Sequence, residues 1–123
     1  MTVVPSLSMN AMAAARPRVQ TVVSASTVTP NASDDDVVEI TEQNVALTIA
    51  NPIDPSGTMS NCQRLLIIYK DNGVSRTITW GSEYRSFGAT LPTATTAGKK
   101  SKSIFVKDTP DNKWDLLSTA TLP

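Results

Sequence analysis

The residues that could do chemistry are few, and their spacing restricts it further. Three consecutive carboxylates, Asp34-Asp35-Asp36, and a spaced pair, Asp108 and Asp111, are the clearest gatherings of acidic side chains. Paired carboxylates can divide acid and base roles, or hold a hard cation through oxygen. Side chains in a consecutive run diverge, so Asp34 to Asp36 read as a solvated linker, with calcium the less favoured alternative. Asp108 and Asp111 flank Pro110, where aspartate is a routine turn former. Cys62 is the only thiol, and the chain has no histidine. A nucleophilic cysteine needs a base beside it. Without histidine, Ser-His-Asp and Cys-His catalysis are both removed, along with the commonest metal ligand. One cysteine closes no intramolecular disulfide and builds no cysteine zinc cluster. At the head of an apolar run it reads as a small buried hydrophobe. The expectation is a protein that is not an enzyme and uses no cofactor and no metal.

Composition points the same way. Eleven basic and eleven acidic residues cancel, whereas a protein that holds nucleic acid usually presents a basic face. Zero net charge places no electrostatic barrier against self-association. No apolar run approaches the roughly 20 residues of a membrane helix, so no membrane span is expected. The opening, MTVVPSLSMNAMAAARP, offers small residues but lacks a basic start, and Pro5 and Asn10 interrupt it. It is therefore not read as a secretory leader.

The elements that position these residues are strands. Residues 1–35 carry no aromatic side chain and read as an extended arm, since a segment without large anchors cannot bury itself. VQTVVSASTV (19–28) has strand character but no evident partner. From residue 36 the pattern becomes strands and turns, defining a module over 36–123. NVALTIA (44–50) alternates, with Val45, Leu47 and Ile49 on one side. CQRLLIIYK (62–70) is apolar on both faces in its middle, as a central strand is. Leu65, Ile67 and Tyr69 fill the interior, and Leu66 and Ile68 leave a second apolar face. Asp71-Asn72-Gly73 reads as a hairpin turn that returns the chain along VSRTITW (74–80). SKSIFVKD (101–108) and KWDLLSTATL (113–122) supply two more strands, and TATTAGKKSK (93–102) reads as a solvated loop rather than a phosphate-binding tract. The fold expected is all-β, a small β-sandwich or jelly-roll-like barrel preceded by the arm.

The segment TITWGSEYRSFGATLP (77–92) concentrates Trp80, Tyr84 and Phe87. Trp80 at a strand end can cover the sandwich rim with its N–H bonded to the loop. Tyr84 and Phe87 peg the loop to the same cluster, which Trp114 meets from across the sheet. A carbohydrate-stacking surface on Trp80, Tyr84 and Trp114 is the sharper alternative. The order of Asp-Asn-Gly, this segment, the Gly98-Lys99 turn, SIFVKD, and Asp111-Asn112-Lys113-Trp114 resembles a β-module of tailed-phage virion proteins. That module recurs in tail-fibre segments and in capsid decoration or head-fibre proteins, and the likeness covers residues 36–123.

The resemblance implies a homotrimeric structural component of the virion, made in the host cytoplasm. A small stand-alone trimer fits a capsid decoration (cement) protein on the capsid surface. Its trimer interface would include Leu66 and Ile68. Its arm would reach the major capsid protein through Val3, Val4, Leu7, Met9 and Met12. A tail-fibre, neck or adhesin component is the alternative. No nucleic acid or membrane partner is implied.

Overall fold

A computed structural model describes residues 16–123; the arm contacts Val3, Val4, Leu7, Met9 and Met12 lie outside the described residues. The described chain is all-β, with strands β1 (Val19–Val22), β2 (Thr27–Val28), β3 (Val37–Gln43), β4 (Leu47–Ile49), β5 (Arg64–Asp71), β6 (Ile78–Trp80), β7 (Tyr84–Ser86), β8 (Lys100–Asp108) and β9 (Lys113–Thr121). They form two sheets, one of six strands in the order β1-β3-β5-β8-β9-β7 and one of three in the order β2-β4-β6.

The chain alternates between the sheets. Odd strands from β1 to β7 belong to the large sheet, and β2, β4 and β6 to the small one. Each return lays a strand parallel to its predecessor: Val19 pairs with Val37 and Val37 with Leu66, while Thr48 pairs with both Thr27 and Thr79. Three rungs are thereby stacked. The antiparallel pair β8–β9 then inserts between β5 and β7. Parallel ladders normally need long crossovers within one sheet. Here a strand of the opposite sheet serves as part of each crossover.

The two sheets enclose one core, as a sandwich requires. Leu65, Ile67 and Tyr69 of β5 point inward and are at most 1% exposed, meeting Leu47 and Ile49 from the small sheet. The alternation expected along 62–70 and 44–50 holds for these residues, although Val45 lies outside β4 and is exposed.

Several expectations are corrected. Residues 19–28 do not belong to a free arm, because β1 and β2 form the first rung, and Val28 and Ala32 are buried in the core. Their partners were hard to see because they are parallel strands a full rung further along the chain. Nor is Asp34 to Asp36 a free linker: the Arg18 guanidinium forks onto Asp36, donating to Oδ2 at 3.2 Å and Oδ1 at 3.0 Å, and closes the rung. The turn at Asp71-Asn72-Gly73 is present, with Gly73 at φ 100°, but it is not a hairpin. The chain leaves it for the small sheet, where β6 pairs with β4. Cys62 is exposed and sits in a left-handed turn at φ 65° before β5, not inside the strand.

Candidate functional site

The polar side chains that looked available for chemistry are tied to backbone at the corners of the stack. Gln43 is fully buried; its amide nitrogen donates to the carbonyls of Ala25 at 2.6 Å and Val45 at 3.0 Å, and its oxygen accepts from Ala25 N–H. One side chain thus joins the first corner to the second. Asn51 Oδ1 accepts Glu83 N–H at 2.8 Å, beside Gly81, where any Cβ would run into the Asn51 side chain. Asp54 accepts the Ser33 hydroxyl at 2.5 Å and the N–H groups of Thr58 and Met59. The serine bond above all holds its carboxyl below the usual range, against some desolvation.

Asp71 is the most enclosed of these carboxylates. Oδ2 accepts the Thr95 hydroxyl at 2.5 Å, and Oδ1 accepts N–H from Gly98 at 2.6 Å and Gly73 at 2.9 Å. Burial pushes the carboxyl up, but the Thr95, Gly98 and Gly73 bonds outweigh it and leave the group below its ordinary range. The 93–102 stretch is therefore only partly a solvated loop: Thr95 is buried on Asp71, and residues from Lys100 onward are in β8.

Asp108 and Asp111 do form a turn, with Asp111 N–H donating to Asp108 Oδ1 at 3.2 Å. They also share the Arg85 guanidinium with Asp115, which accepts from Nε at 2.6 Å. Asp34 to Asp36, likewise, face the Asn31 amide and Arg18. Among the described residues, no three acidic or cysteine side chains converge as a metal site would need.

The aromatic cluster differs in membership from the expected one. Trp80, Tyr84 and Phe105 form a mutual triangle with ring centroids 5.2 to 5.3 Å apart. Trp80 Nε1 donates to the Pro92 carbonyl at 2.7 Å, which pins the loop to the rim. The Tyr84 hydroxyl donates to Ala50 O at 2.8 Å, and burial pushes its phenol far above the ordinary value. Trp114 is buried opposite Tyr84, with the Lys107 amine 5.4 Å from its ring centre. Phe87 is not a peg: it is 70% exposed. Gly88 supplies the reason, because its N–H bonds Leu116 O and its α-carbon lies against the Leu117 backbone too closely for a Cβ. That anchor turns the chain before Phe87 can fold inward. With Tyr84 and Trp114 buried and Trp80 capping the rim, these three rings offer no sugar-stacking platform.

Phe87 completes a different feature. On the outer face of the large sheet, one register row runs Val19, Val37, Leu66, Ile104. Beyond it, β9 carries a bulge: Ile104 pairs with Ser118 and Phe105 with Leu116, leaving Leu117 as the extra residue, 43% exposed. Ser86 pairs with Leu116, so Phe87 follows beside Leu117 on the side that Arg85 shares with Asp115. The apolar row thus runs over β1, β3, β5 and β8, with Leu117 at the β9 bulge and Phe87 just past the end of β7 lying beyond it. Leu66 lies in it and Ile68 is two residues along β5, both half-buried. In the sequence Phe87 reads as a member of the aromatic cluster and Leu117 carries no signal, because only the bulge and the turn at Gly88 set them on this face.

No family model matches the chain, and no curated protein or solved structure matches it.

Proposed function

We propose that the protein is a non-enzymatic structural component of a tailed-phage virion, a homotrimeric decoration protein that sits on the capsid surface and binds the major capsid protein. The observation that carries the reading is the apolar row across the outer face of the six-stranded sheet. A solvated sheet face normally alternates to polar residues, and a continuous apolar band is the mark of an interaction surface. The carboxylates weighed in the sequence for catalysis, Asp34 to Asp36 and Asp108 with Asp111, are engaged in turns and ion pairs, which suits a rigid building block. The resemblance of residues 36–123 to the virion β-module supplies the biological setting.

A tail-fibre or neck component is the second reading, and one feature favours it. Among the described residues both sheets begin on the first rung, with β1 and β2 as their edge strands. Such a stack is suited to continuation along a fibre axis. Cryo-electron microscopy of virions carrying a labelled copy separates the two. Threefold density at capsid symmetry points supports decoration, density along the tail supports the second reading, and absence of label from purified virions overturns both.

A further inference from the structure

The apolar row passes through a groove. Val37, Leu66 and Ile104, each half-buried, supply its floor on the outer face of β3, β5 and β8. The chain borders it twice, at 16–18 where it enters β1, and at Cys62 and Arg64 where it enters β5. Backbone bonds fix both borders. The Arg18 carbonyl accepts N–H from Asp36 at 2.8 Å and from Val37 at 3.0 Å, and Cys62 N–H donates to the Lys107 carbonyl at 2.8 Å. The left-handed turn at Cys62 leaves its thiol exposed on the rim.

The charges on this rim do not cancel. Arg16, Arg18 and Arg64 line the groove with a single carboxylate, Asp36. Arg18 is committed to Asp36 and to the Ser33 carbonyl. Asp34 and Asp35 act on that same guanidinium from outside the groove. Arg16 and Arg64 are exposed, and among the described residues neither makes an ion pair. Guanidinium groups recognise carboxylates through paired, charge-assisted hydrogen bonds. With an apolar floor beside them, the matching ligand carries acidic and apolar side chains together.

Charge distinguishes the possible occupants. Residues 1–15 adjoin the groove at Arg16 but contain no aspartate or glutamate, so they would leave both guanidinium groups unanswered. In a second copy, Asp36, Asp108, Asp111 and Asp115 are held in ion pairs, and Asp54 and Asp71 in corners. A foreign segment brings carboxylates of its own. We propose that the groove binds an acidic, apolar segment of a partner protein, its carboxylates on Arg16 and Arg64 and its apolar side chains on Val37, Leu66 and Ile104. That the partner is the major capsid protein rests on the reading above; the chemistry of the segment rests on the groove.

Two titrations test this, with circular dichroism to confirm folding. One uses a short fluorescein-labelled peptide of alternating glutamate and leucine, with a lysine–leucine peptide and a single-stranded DNA oligomer as controls. The other uses purified capsids lacking this protein. Arg64→Glu should weaken binding to the acidic peptide and to capsids at least about tenfold, and adding Arg16→Glu should weaken it further. Lys70→Glu makes the same charge change on β5 outside the groove, about 20 Å from Arg64 along the strand. Salt screens over about 8 Å, so its effect should stay within about twofold. Alkylation of Cys62 by iodoacetamide should slow when either ligand is bound. Arginine dependence in neither titration overturns the groove, and capsid binding by the wild type then leaves the decoration reading standing. Arginine-dependent peptide binding without capsid binding overturns that reading alone. DNA held more tightly than the acidic peptide, or a Cys62 that reacts only after deletion of residues 1–15, overturns the choice of occupant.

Discussion

At the residue scale, two aromatic side chains seven positions apart play opposite parts. Trp80 closes the rim of the sandwich, packs on Tyr84 and Phe105, and donates its N–H to Pro92. Phe87 faces solvent on the outer face. Trp80→Ala should therefore cost about 3–5 kcal/mol, as large-to-small aromatic changes in cores do. Phe87→Ser should leave the melting temperature of the isolated subunit within a degree or two of the wild type, about ±0.5 kcal/mol. Thermal melts of both variants at a concentration below self-association check this pair. A destabilised Phe87→Ser subunit would place that ring back in the core. Nothing in TITWGSEYRSFGATLP separates the two rings, because the distinction is made by Gly88 resting on Leu117, a contact between segments distant in the chain.

At the scale of elements, the stack depends on what happens at its corners. Each return to the same sheet places a turn beside the previous turn, and polar side chains of one corner satisfy backbone groups of the next. Asp71 does this between the end of β5 and the approach to β8. Its replacement, Asp71→Asn, sets an amide NH₂ against donors and should cost about 1–3 kcal/mol at neutral pH, the penalty for a buried donor left unpaired. The pH dependence has a definite sign. The folded carboxyl is held below its ordinary value, so its contribution is complete above the unfolded value near pH 4. It is lost as pH falls through the lower folded value. Urea titrations at pH 7 and pH 3 should show the difference between wild type and Asp71→Asn shrinking at the lower pH. A constant difference would mean that the ionised form is not the one being held. The strands around this corner were largely legible: alternation locates β4, the runs at 101–108 and 113–122 locate β8 and β9, and the doubly apolar middle of β5 marks it as central. Their pairing was not legible. Asn-Gly after β5 signals a tight turn equally well for a hairpin and for a crossing to the other sheet. β7, three residues long, carries no periodicity of its own. Asp, Asn and Gln at corners look like ordinary loop residues until the neighbouring corner is in place.

For the whole molecule, the position of the first rung decides what can be removed. A boundary at residue 35, drawn from composition, would discard β1 and β2. The structure makes Val28 and Ala32 part of the shared core and gives β3 and β4 their outer neighbours. Deleting residues 1–30 should therefore uncover two parallel edges and open the core, producing an aggregating chain, because unpaired strand edges invite association. Deleting residues 1–15 stops short of Arg18, whose guanidinium forks onto Asp36 and holds the rung shut. That shorter deletion should leave the melting temperature and the oligomeric mass as they are in the full chain. If Val3, Val4, Leu7, Met9 and Met12 supply the grip on the major capsid protein, the same deletion should lower occupancy on virions lacking the wild-type protein. Binding titrations followed by gel densitometry read this directly. Full occupancy by the 16–123 protein would assign capsid binding to the sandwich alone, and a stable fold after deletion of 1–30 would return β1 and β2 to the arm.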